Sequence, residues 1–266
     1  MILIAIVTGT LLAGIGSVWL AALLSFGVLA RYTQHMLSLA AGALLATAFM
    51  HLLPEAFESQ VGAHDLFVTL LIGLVFFFLL DKAELWHHGH EHHHAHEQHD
   101  HHDHHDHNHH EGHNAKAGTW AVLTGDSVHC FGDGVLIASA FMADIRLGVI
   151  ASMAVLAHEV PHHMGDLMVL RSATSNRRAA LIKVSLAGAV TALGGLVGFW
   201  LVEQLQDYLP YFLVVASSSF VYVALADLIP QLQKRLTLSE TIVQITWLAV
   251  GIGMVTMLSG LAHSGH

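Results

Sequence analysis

The 266-residue chain is 54% hydrophobic and only 11% charged, with a mean hydropathy of +0.58. That much apolar surface excludes an ordinary soluble domain of this size and makes the lipid bilayer the expected solvent. The formal charge of −10 counts all 25 histidines as neutral, so it is soft near neutral pH, and no nucleic-acid partner is expected.

A membrane-spanning helix needs about 20 apolar residues. Eight stretches meet that length, at roughly 2–30, 36–57, 65–86, 118–143, 147–171, 180–204, 211–232 and 242–262. The chain runs from Met1 straight into the first, without the basic start or small-residue cleavage site of a removable signal, so this stretch is retained as a span. Eight spans place both termini on one side. Arg31, Lys82, Lys116, Arg171, Arg177, Arg178, Lys183, Lys234 and Arg235 fall on odd-numbered connections, and Arg146 alone on an even one. The positive-inside rule then makes the odd face cytoplasmic, with both termini outside and the plasma (inner) membrane as the expected location.

The third connection is the long one. Between His87 and His113 it carries sixteen histidines, interleaved with Glu91, Glu97, Asp100, Asp103, Asp106 and Glu111. Such a tract has no apolar face to bury, so residues 87–117 are expected to be a disordered cytoplasmic loop within a single transmembrane domain, 1–266. Imidazole beside carboxylate suits zinc, which makes the tract a candidate weak metal buffer.

Two segments in the fourth and fifth spans carry the chemistry: His129-Cys-Phe-Gly-Asp133 and His158-Glu159-Val-Pro161-His162-His163. Histidine and carboxylate lose their hydration at the centre of a bilayer and persist only where something satisfies them. A divalent metal does so with these same ligand types. His129 and Asp133, His158 and His162, and Glu159 and His163 are each four apart, so each pair shares one face of a helix. Antiparallel packing of the two spans brings His129, Asp133, His158 and His162 together near the midplane. Glu159 and His163, rotated by about 100°, offer a second position with Cys130 as a soft ligand and Asp133 or His162 bridging. Cys130 is the sole cysteine, so no intramolecular disulfide or CxxC zinc knuckle competes.

Pro54, Pro161 and Pro230 each remove an amide and free a carbonyl four residues back, at Met50, Ala157 and Ala226. Pro161 places its expected kink inside the histidine motif. His51-Leu-Leu-Pro-Glu55 also resembles Asp227-Leu-Ile-Pro-Gln231, in spans that run in opposite directions. Inverted repeats around a midplane site are a common plan of secondary transporters.

The stretch Gly125-Asp126-Ser-Val-His129-Cys-Phe-Gly-Asp133-Gly134 resembles the fourth-span signature of the ZIP (Zrt/Irt-like) metal transporters. His158-Glu159-Val-Pro-His162-His163-Met-Gly165-Asp166 resembles the fifth-span signature of that family's histidine-rich branch. The resemblance implies an all-α membrane protein of eight transmembrane helices in a 3+2+3 arrangement, with an inverted repeat and a metal site between helices four and five. It implies a transporter and not an enzyme, taking up a divalent cation, usually zinc, into the cytosol, often as a homodimer. By position it assigns His129, Asp133, His158 and His162 to a primary site. Cys130, Asp133, Glu159 and His162 fall on a second site, and Asp227 on the route. The family usually has asparagine at Cys130 and glutamate at His163. Both departures favour zinc or cadmium over manganese or iron as the transported ion. Entry past Glu55, Glu58, His64 and Asp65 and exit past Asp126 complete an alternating-access scheme.

Two other functions fit parts of the pattern. His158-Glu159-Val-Pro-His162 also reads as the HExxH of an intramembrane zinc metalloprotease, although Pro161 distorts the helix that must hold the pair. A histidine-rich loop with His-x-x-x-Asp helices also fits a cation-diffusion-facilitator exporter. That family typically has six spans and a soluble C-terminal domain, neither of which this chain is expected to have.

Overall fold

A computed structural model describes residues 1–25, 33–89, 111–173, 176–232 and 237–263. Among the described residues there is no strand, and eight long helices follow one another. The first, α1, is built from Ile2–Leu11, a π-helical turn at Leu12–Gly16, and Ser17–Ser25. The second, α2, comprises Thr33–Thr47, a π-helical turn at Ala48–Leu52, and Leu53–Phe57. Then come α3 (Ala63–Gly89), α4 (Glu111–Ala143), α5 (Ile145–Ala173), α6 (Arg177–Gln204), α7 (Leu209–Leu232) and α8 (Leu238–His263). The described part of each expected span lies on one of these helices, and residues 26–30 of the first lie outside the described residues. Helices α3 and α4 reach into both ends of the expected loop, to Gly89 and from Glu111, and residues 90–110 lie outside the described residues.

Six of the eight helices are long and apolar enough to cross a membrane: α1, α2, α3, α6, α7 and α8. Helices α4 and α5, at 33 and 29 residues, have the length, and they carry the histidine and carboxylate side chains of the two motifs. Those side chains point into the bundle. Asp126, Asp133, His158, Glu159, His163 and Asp166 are all buried.

Local sequence sets the helix boundaries. Asp144 is the single residue between α4 and α5, and its Oδ1 accepts from the amides of Arg146 (2.7 Å) and Leu147 (3.4 Å). This cap satisfies the start of α5 and fixes the register of the two helices that hold the site. Asn176 caps α6 in the same way, accepting from the amides of Arg178 and Ala179. At α8, the Thr237 amide donates to Glu240 and the Glu240 amide returns a bond to the Thr237 hydroxyl, a capping box. The π turn of α2 immediately precedes Pro54. Proline cannot donate to the Met50 carbonyl, and the wider turn is where the ladder shifts register. Helix α5, by contrast, continues across Pro161.

The helices pair closely through small residues. A Cβ at Gly134 would strike the Thr191 carbonyl of α6, and one at Gly194 would strike the Phe131 carbonyl of α4. In lipid, where apolar burial gives helices little reason to associate, such close approach supplies the packing energy. The most extensive pairings are α4 with α6, α2 with both α7 and α8, α1 with both α5 and α6, α4 with α5, α3 with α7, and α2 with α5. An apolar core of Leu44, Leu52, Ile137, Ala154, Val155, Phe220 and their neighbours fills the half of the bundle near the α4–α5 turn.

Candidate metal centre

Helix α4 presents Asp126, His129, Cys130 and Asp133 along one stripe, at i, i+3, i+4 and i+7. Facing it, α5 presents His158, Glu159, His162, His163 and Asp166. The side chains sort into three groups whose ligand atoms lie within 4.8 Å of one another: His129, Asp133, His158 and Glu159; Asp126, Cys130, Glu159 and His163; and Asp126, His162 and Asp166.

In the first group the two imidazole Nε2 atoms approach to 3.3 Å. His158 Nε2 lies 3.2 Å from Asp133 Oδ2, and both imidazoles lie 3.4 Å from Glu159 Oε1. In the second, His163 Nε2 lies 3.1 Å from Glu159 Oε2 and 3.4 Å from Asp126 Oδ1. The Cys130 thiol donates to Asp126 Oδ1 at 3.6 Å and lies 3.9 Å from His163 Nε2. Glu159 therefore gives one oxygen to each group. Neither the thiol nor any of the carboxylates in these two groups is more than 4% exposed.

The sequence expectation and the geometry differ in the partition. His162, expected in both the primary and the second site, sits beside the first group, its ring centroid 5.3 Å from that of His129. It turns toward Asp126 and Asp166 at 3.7 and 4.0 Å, with 46% of its side chain exposed. Glu159 is the residue common to the first two groups, where the sequence expectation has Asp133 or His162 shared. His129, Cys130, Asp133, His158, Glu159 and His163 are all brought together. Asp227 lies on α7, and its side chain is outside the described residues. The residues missed from the expected ligand set are Asp126 and Asp166. Their spacing gives the signal, since Asp126 is four before Cys130 and Asp166 four after His162.

A cavity of about 570 Å³ opens onto the centre and is lined by Asp126, His129, His158, His162 and Asp166, together with Tyr222 of α7. It extends to Val169 of α5, toward the end of the bundle that carries Arg171, Arg177 and Arg178. At the opposite end, a second cavity of about 400 Å³ is lined by Glu55, Glu58, Asp144 and Arg146. His64 and Asp65, the other members of the expected approach, do not line it; they form an exposed 3.5 Å pair at the start of α3. Along α4 and α5, Ile137, Ala140, Ala151, Ala154 and Val155 separate the metal-ligand stripe from this second cavity.

The family model of the ZIP zinc transporters matches residues 82–259. The zinc transporter foi of Drosophila melanogaster is 31% identical over 145 residues, covering 54% of this chain and 20% of that protein. Zinc transporter ZIP4 of Homo sapiens is 37% identical over 115 residues, 43% of this chain and 18% of that protein. Zinc transporter ZIP13 of Pongo abelii is 27% identical over 277 residues, 94% of this chain and 76% of that protein. The matches thus span about a fifth of the length of foi and ZIP4, and most of ZIP13. With six apolar helices and a family match across most of its length, this chain is a multi-pass membrane protein that belongs to the ZIP zinc transporter family.

Proposed function

We propose that this protein carries a divalent cation, zinc foremost, across the membrane into the cytosol through adjoining His/Asp/Glu positions by alternating access. One observation carries the reading. Five buried carboxylate oxygens, Asp126 Oδ2, Asp133 Oδ2, both oxygens of Glu159, and Asp166 Oδ2, accept no well-formed hydrogen bond among the described residues, and three of them have only imidazole nitrogens 3.1–3.4 Å away. Buried acceptors left this way are costly. A cation held between them and the adjacent imidazole nitrogens offsets that cost. Imidazole, carboxylate and one thiol form a ligand set suited to zinc or cadmium.

The two cavities support alternating access. One reaches the centre from the basic end, and the other is separated from it by apolar side chains. The basic end is cytoplasmic by the positive-inside rule, so the conformation corresponds to an inward-open state, with Glu55 and Glu58 at the outer approach. The helix pairings support the 3+2+3 inverted repeat. Exchanging α1, α2 and α3 with α6, α7 and α8, and α4 with α5, turns the α2–α8 pair into α7–α3 and the α4–α6 pair into α5–α1. All four are observed pairs. The outward apolar faces of α3 and α8 suit lipid, and a homodimer follows the family's habit.

The metalloprotease alternative needs Glu159 beside an open water position. Glu159 is instead 1% exposed, and its two oxygens lie within 4 Å of four imidazoles. The deciding experiment is zinc flux in proteoliposomes of known orientation, comparing wild type with a His158→Ala/His162→Ala double variant. Inward flux lost in the folded double variant supports the reading. Full flux in that variant, or outward-only flux in wild type, overturns it.

A further inference from the structure

The third group, Asp126, His162 and Asp166, is not absorbed by the two positions that Glu159 joins. Asp166 is eight residues past His158, about 12 Å further along α5 toward the basic end. His162 Nδ1 lies 3.7 Å from Asp126 Oδ1 and 4.0 Å from Asp166 Oδ2. Zinc-to-ligand bonds of 2.0–2.2 Å in a tetrahedral site put the donors about 3.4 Å apart; the two His162 separations stand a little above that, and all three ligand atoms lie within 4.8 Å of one another. The second oxygen of Asp126 and Oδ2 of Asp166 are buried without a hydrogen-bond partner among the described residues. Both carboxylates and the half-exposed His162 ring line the cavity.

We propose that Asp126, His162 and Asp166 form a separate cation position at the head of the inner cavity, where a divalent ion is held briefly between the buried centre and the aqueous exit. This inference rests on the transport reading above. The chemistry distinguishes this position from its neighbours. It offers two carboxylates and one imidazole, no sulfur, and open coordination places facing the cavity, so water completes the shell. Such a site exchanges its ion more readily than the enclosed group around Cys130. Asp126 belongs to both groups, its Oδ1 lying near Cys130, His163 and His162, so an ion can be passed from the Cys130–His163 side to the His162–Asp166 side without losing that carboxylate.

The test is anomalous scattering from crystals of the full chain equilibrated with cadmium, for wild type and Asp166→Asn. The expected result is a cadmium peak among Asp126, His162 and Asp166 in wild type. In Asp166→Asn that position should need at least about tenfold more cadmium to fill. A retained peak at His129 and His158 would show that the variant is folded. Peaks at His129 and His158 with none at Asp166 in wild type overturn the proposal and leave the transport site standing. So does an Asp166 peak that fills equally in the variant. A wild-type peak at Asp166 that weakens in Asp166→Asn, with none at His129 and His158, supports this position and overturns the transport-site assignment instead.

Discussion

The Ser17 hydroxyl of α1 lies 2.9 Å from Nδ1 of His163 and 2.6 Å from the carbonyl oxygen of Gly14. Its one proton goes to the carbonyl, which has only lone pairs to offer. The hydroxyl oxygen is left to accept from Nδ1–H, and this pattern places a proton on Nδ1 of His163. Nε2 is then the nitrogen that faces Glu159 and Asp126, and once deprotonated it offers its lone pair to a cation held there. A lone pair facing two carboxylates is a ligand set for a cation, oriented by a residue 146 positions away in sequence.

Ser17→Ala should therefore weaken cadmium binding at the Cys130–His163 position by about 10–100-fold while leaving the His129–His158 position nearly unchanged. Nitrogen-15 NMR of histidine-labelled protein checks the cause. The variant should gain the Nε2–H tautomer of His163, whereas a packing defect alone would move no tautomer.

Cys130 is the one sulfur ligand type in the centre and is fully buried. Cys130→Ser keeps the shape and removes the soft donor. Competition uptake should show cadmium losing on the order of tenfold in apparent affinity, equivalent to about 1.4 kcal/mol, with zinc losing less. Equal losses for both ions would place the thiol outside the coordination shell.

Gly132 and Gly134 make a matched pair. A Cβ at Gly132 meets nothing within 4 Å, whereas one at Gly134 runs into the Thr191 carbonyl and the Gly195 amide. Gly134→Ala should destabilise the detergent-solubilised protein by about 1–3 kcal/mol through separation of α4 and α6. Gly132→Ala should be neutral or slightly stabilising. Thermal unfolding of the two variants side by side reads the difference.

Removing residues 90–110 should leave inward zinc flux measurable and change its dependence on zinc concentration, as expected of a buffer and not a transport site. Radiolabelled uptake across a zinc series checks this. Complete loss of flux in a folded deletion would give the histidine tract an obligatory role.

Span positions were legible in the sequence because length and apolar content suffice for them. Tight capping residues such as Asp144 and Thr237 then set the ends within a few residues of the expected bounds. The stripe of ligands on α4 and α5 was legible for the same reason, since i, i+4 spacing does not depend on packing. What spacing leaves open is the rotation of α5 about its axis against α4. Glu159 and His162 are three apart on adjoining faces, and either can point between the helices. The observed rotation turns Glu159 into the gap, between the first two groups, and His162 toward the cavity. Ser17 could not be found this way, because its partner lies on a helix distant in sequence.

The buried carboxylates are Asp126, Asp133, Glu159 and Asp166. With all four ionised and the neighbouring imidazoles neutral they would carry four negative charges, which two divalent ions neutralise and three would exceed. An uncompensated charge in a low-dielectric interior is expensive. On the proposed transport reading, three adjoining positions with anionic charge for two divalent ions would leave one empty, so that each arriving ion favours a departure, while the metal gradient and not the charge count sets the direction.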